Sequence, residues 1–129
     1  MSDMVIVVIH WKIKPGREND FLKHWSRVLE IKNRSKLVGE FLSIPMKSKP
    51  AKCKTTVLGR SPSSSYISYF NVGMWEKHDS FYQEVIKPYV KKAPKKRLPF
   101  EAKDRERMVL KPELWRIRCG ELPASDQLI

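Results

Sequence analysis

A chain of 129 residues, 41% of them hydrophobic, has room for one domain with a single modest core. Lys and Arg number 26 against 14 Asp and Glu, a net charge of +12 that predicts attraction to anions or, more plainly, a well-solvated surface. Cys53 and Cys119 make neither a disulfide framework nor a zinc spacing, and the longest apolar run, Val5 to Ile9, is far short of a membrane span. A reduced, cytoplasmic protein with no metal, no membrane association and no signal peptide is the expectation.

Met4 to Ile13 is rich in β-branched residues and apolar on both faces until His10 and Lys12, as a central two-sided strand is. Lys14-Pro-Gly16 breaks it. From Glu18 to about Asn33, Phe21, Leu22, Trp25, Val28 and Leu29 recur at helical spacing, which predicts an amphipathic helix with one buried stripe. Leu37 to Ile44 predicts a second strand, stopped by Pro45. Met46 to Ser65 is loop-like, with a short strand allowed at Thr55 to Leu58.

Tyr66 to Trp75 is the most informative segment. Alternation puts Tyr69, Asn71, Gly73 and Trp75 on one face and Tyr66, Phe70 and Met74 on the other. An Asn among large aromatics on a buried strand costs free energy unless it finds a hydrogen bond, so Asn71 is either a satisfied structural amide or there for chemistry. Phe81, Tyr82, Val85, Ile86 and Tyr89 then repeat at helical spacing, and Pro88 ends or kinks that helix near Lys87. A basic, proline-punctuated connection occupies about residues 91–107. A last strand is expected within Arg107 to Arg118, followed by an irregular tail, 119–129.

The order is β-α-β-β-α-β, the ferredoxin-like α+β arrangement, in one domain over 1–129 with its core at about 4–118. Both helices cover one face of such a sheet. The second face is apolar too, and burial against a second copy of the chain is the economical way to cover it.

Three segments carry a family resemblance. Val5-Ile-Val-Val-Ile-His-Trp-Lys-Ile-Lys-Pro-Gly-Arg17, Val38-Gly-Glu-Phe-Leu42 and Trp75-Glu-x-x-x-x-Phe81 resemble the first strand and Pro-Gly turn, the second strand, and the strand-end Trp and helical Phe of the antibiotic biosynthesis monooxygenase superfamily. The likeness spans roughly residues 4 to 90 and implies a dimeric α+β barrel. Where that family has a Ser after the Trp, this chain has Lys77, so His78 or Asp79 is expected to cap the helix.

The family's cofactor-free oxygenases imply a pocket in which a phenol or hydroquinone loses a proton and its anion reduces oxygen directly. By that resemblance Asn71, Trp75 and Tyr82 are the catalytic candidates, and Tyr69, Trp11 and Arg97 the candidates for binding substrate, with Tyr69 or Tyr82 relaying a proton and Lys95 as the other counterpart to Arg97. Trp75 has core packing as its alternative role. No cofactor is implied, and the ligand is an aromatic or anionic small molecule. A catalytically silent ligand-binding or scaffold dimer of the same fold is the competing reading.

Other readings fit less well. The haem-degrading branch places its functional residues where this chain has Ile9, Glu84 and Ala93, none of which matches. RNA-recognition modules share the element order, but the third strand lacks their basic-Gly opening, so nucleic acid is not the expected partner. His10 lies opposite Ile9 and Trp11 in period, as an interface histidine or a general base. His24 and His78 are expected in solvent. The cations from Lys91 to Arg97 make either an anion-binding loop or a solvated connection.

Overall fold

The computed structural model describes residues 3–46, 65–88 and 97–116. Its elements run β1 (Val5–Ile13), α1 (Glu18–Lys23), β2 (Leu37–Ser43), β3 (Ile67–Trp75), α2 (His78–Phe81) and β4 (Glu106–Leu110). Both helices continue as π-helical turns, α1 through His24–Val28 and α2 through Tyr82–Ile86. The expected strand at Thr55 to Leu58, the cations at Lys91, Lys92, Lys95 and Lys96, both cysteines and the tail 119–129 lie outside the described residues.

Among the described residues the fold is mixed α+β, with one four-stranded sheet in the order β2-β3-β1-β4 and every neighbouring pair antiparallel. The central pair is unbroken, from Val5 opposite Trp75 to Ile13 opposite Ile67. A register shift between Leu37 and Gly39 bends β2 against β3. At the other edge, β4 is exposed along its whole length.

Strict alternation along β1 buries Val5, Val7, Ile9, Trp11 and Ile13 on one face. Beside them β3 buries Tyr69, Asn71, Gly73 and Trp75. Phe21 of α1 and Phe81 of α2 drop onto this face. Phe21 packs its ring 5.1 Å from Trp11, 4.9 Å from Tyr69 and 5.7 Å from Phe100, and this aromatic group is the centre of the core. The segment before β4 is laced to the end of β1, with Lys14 N donating to Phe100 O and Ala102 N to Lys12 O.

The opposite face carries Ile6, Val8, Val72 and Met74 in the middle, with Phe41, Met108 and Leu110 exposed at its edges. His10 sits on this face, stacked on Phe70 with ring centres 4.3 Å apart and its Nε2 2.8 Å from Ser68 Oγ. No described helix covers it.

The helices are where the sequence pattern and the structure part. The first was expected to run to Asn33 but stops after Val28. The Ser26 hydroxyl donates to Leu22 O at 2.8 Å, a back-bond that bends helices, and Leu29 N reaches five residues back to His24 O. In the second, Pro88 lacks the N–H an α-helix would need there, and the turn ahead of it widens. Lys77, not His78 or Asp79, holds the N-cap position of α2 and makes no side-chain cap bond; Asp79 in the first turn complements the helix dipole instead.

Candidate functional site

Between the helices and the inner face of the sheet lies a cavity of about 520 Å³. Ile9 and Trp11 of β1, Glu40 of β2 and Asn71 of β3 form its floor. Its walls come from the two π-helical turns, Trp25 and Val28 on one side, Glu84, Val85 and Ile86 on the other. Arg105 and Arg107 close the β4 side. A π turn widens the helix and re-aims its side chains, and such turns gather at functional sites. Here both of them border the same space.

Asn71 is 5% exposed and donates from Nδ2 to Glu40 Oε1 at 2.8 Å, while its Oδ1 has no hydrogen-bond partner among the described residues. Trp11 is 3% exposed, and its indole Nε1 also lacks an acceptor there. Buried polar atoms are rarely left so, because each unmade bond costs about 1–3 kcal/mol. One unused acceptor and one unused donor thus lie sealed just beneath the cavity floor, on residues that line it.

Burial pushes the Glu40 carboxyl above its ordinary range, opposed by the Asn71 hydrogen bond and the positive charge of Arg34. Arg105 lies with its guanidinium 4.5 Å from the centre of the Trp11 ring and pairs with the buried Glu101. Burial likewise raises Glu101, against the pull of Arg105. At the back of this group, His24 lies 5.2 Å from the Phe100 ring rather than in solvent, and burial together with Arg105 lowers its pKa.

Of the residues singled out from sequence, Asn71 and Trp11 line this cavity. The other four do not. Trp75 is buried against Phe81, ring centres 6.2 Å apart, at the end of the sheet. Tyr69 is buried in the aromatic group around Phe21, and burial raises its pKa. Tyr82 is 47% exposed, because residues adjacent on a helix are turned about 100° apart and Phe81 takes the inward position. Arg97 is exposed, bound to Asp104 at 2.7 Å and to Ala102 O.

The residues that sequence reasoning passed over are Glu40, Trp25, Glu84, Arg105 and Arg107. Glu40 left a signal as the one charged residue within the apolar β2 pattern, and Trp25 as a member of the apolar stripe of the first helix. No protein-family model matches the chain, and no curated protein matches it. Among the described residues no cluster of potential metal ligands occurs, and no helix is long and apolar enough to cross a membrane.

Proposed function

We propose that the chain is a ferredoxin-like dimeric α+β barrel whose cavity binds a hydroxylated arene and oxygenates it without metal or flavin. The observation that carries this reading is the pair of buried, unsatisfied polar atoms, Asn71 Oδ1 and Trp11 Nε1, just beneath the floor of one largely apolar cavity that their residues line. A phenol or hydroquinone matches them, since a hydroxyl donates to Asn71 and an oxygen accepts from Trp11 while the ring lies among Trp25, Val85 and Ile86. The charged groups lining the cavity balance, Glu30, Glu40 and Glu84 against Lys32, Arg105 and Arg107, which favours a substrate that is neutral when it enters. The net positive charge of the chain is thus not a guide to the ligand.

The chemistry is balanced by the substrate. Loss of the phenolic proton gives an electron-rich anion that passes an electron to oxygen, and the radical pair combines to a peroxide. That peroxide takes the proton back and expels water, leaving one oxygen atom as a new carbonyl. The protein's part is to hold the anion, keep out bulk water and stabilise the charge as it develops. Dimerisation through the apolar outer face accounts for Phe41, Met108 and Leu110, which would otherwise stand in water.

Purified protein with bound metal and flavin removed should consume oxygen with an anthrone-type or hydroquinone substrate, and mass spectrometry should show the gain of one oxygen and loss of two hydrogens. Asn71→Ala should slow turnover on the order of 10²-fold while the fold persists. If no hydroxylated arene is oxidised although one is bound, the catalytically silent ligand-binding dimer replaces this reading.

A further inference from the structure

We propose that Glu40 is the proton acceptor of this cavity, taking the proton of a phenolic hydroxyl, and that Asn71 is the residue that positions its carboxylate. The proposal rests on the phenol-binding half of the function proposed above but not on its oxygen chemistry.

Geometry comes first. In the β2–β3 ladder Glu40 pairs with Gly73, so no side chain of β3 stands between Glu40 and the cavity floor. A methyl group on Gly73 would lie 3.9 Å from Glu40 Cγ and 3.3 Å from Trp75 Nε1, the second a close approach to a buried ring. Across this gap Glu40 reaches Asn71, two residue pairs along and on the same face, and receives its Nδ2 hydrogen at 2.8 Å. A carboxylate has about four acceptor positions, and the amide uses one. The cation whose charge acts on Glu40 is Arg34, on the α1–β2 connection.

The other cavity acids are placed less well. Glu84 accepts the backbone N–H of Asn33 at 3.4 Å, and Glu30 is exposed. Glu40 is the acid hydrogen-bonded to Asn71, beside the unused oxygen of that amide. A phenolic hydroxyl entering beside Asn71 therefore has the Glu40 carboxylate at hand as proton acceptor, with Trp11 on the same cavity floor.

The electrostatics agree. Facing Glu40 are Arg34 from the α1–β2 connection, Glu30 and Lys32 beyond α1, Glu84 of the second π turn, and Arg105 and Arg107 on the β4 side. Burial outweighs the pull of Asn71 and Arg34, so the carboxylate holds a proton more readily than one in water. A base works best when its affinity lies near the working pH.

The experiment uses 4-nitrophenol without oxygen, at a pH below its own ionisation, because its phenolate absorbs in the visible. The wild-type protein should produce the phenolate band on binding. Glu40→Gln, which keeps an oxygen for Asn71, should bind the probe, by quenching of tryptophan fluorescence, without producing the band; Glu40→Asp should restore part of it. In the presence of oxygen and an oxidisable arene, Glu40→Gln should lose 10²- to 10⁴-fold in kcat/KM together with the rising acid limb of the pH profile. A phenolate band that persists in folded Glu40→Gln overturns the proposal even if the arenes are oxidised. A band that depends on Glu40 with no oxygen uptake upholds it and rejects the oxygenase. Wild-type protein that binds the probe without a band, or does not bind it, rejects Glu40 as the acceptor.

Discussion

Trp75 tests whether the strand-end tryptophan works by packing or by contact with substrate. It is 1% exposed, lies over Gly73 and faces Phe81, outside the residues that line the cavity. Trp75→Phe removes roughly three heavy atoms from a sealed site, and at about 0.8 kcal/mol per buried methylene-sized group the transfer loss is about 2 kcal/mol. A residual void of ~30 Å³ adds about 0.7 kcal/mol at about 24 cal/mol per Å³. The total, about 2–3 kcal/mol, lowers Tm on the order of 10 °C for a domain of this size. Urea denaturation followed by near-ultraviolet circular dichroism gives the stability, and ligand binding per folded molecule gives the function. The packing argument requires the stability loss with binding unchanged. Stability within about 0.5 kcal/mol of wild type, a change typical of surface substitutions, together with lost binding would refute it.

Two further outcomes follow from the rest of the sheet. Sedimentation at micromolar concentration should give twice the chain mass, and Phe41→Asp with Met108→Glu on the outer face should give a folded monomer; a wild-type monomer that binds no hydrophobic dye would contradict the dimer. Stability should fall as pH drops below about 6.5, the ordinary histidine value, because burial and Lys12 lower the pKa of His10 while burial and Arg105 lower that of His24. The unfolded chain then binds more protons than the folded one between the two pKa values, so stability rises with pH across that window. His10→Gln should flatten this dependence in part, by urea titrations at several pH values, and an unchanged slope would count against it.

The sheet was legible because period two survives any tertiary context that buries one face. Tyr69 to Trp75 alternates as the pattern predicts, and Asn71 points inward for the same reason, while Val5 to Ile13, read as apolar on both faces, buries one face and leaves the other partly exposed. The cavity was legible only in its floor. Glu40 reaches Asn71 through a β2–β3 register set after the shift at Leu37 to Gly39, and no local pattern encodes that pairing. Arg105 meets Trp11 across 94 positions of sequence, a contact that no spacing rule reaches. Tyr82 was misplaced for a simpler reason: a helical stripe admits Phe81, Val85 and Ile86 but not the residue beside Phe81.

The two π turns connect these observations. Each has an identifiable local feature, the back-bonding Ser26 in one helix and Pro88 after the other, and each costs hydrogen-bond quality that a regular α-helix would keep. Such a cost persists in a small domain only where something offsets it. Packing offsets part of it, since Trp25, Val85 and Ile86 lie partly buried against the core, while Val28 stays 54% exposed. What the turns do is hold Trp25 and Val28 apart from Val85 and Ile86, over the unsatisfied Asn71 and Trp11. A ligand that bonds those atoms and fills the space between the helices offsets both costs at once.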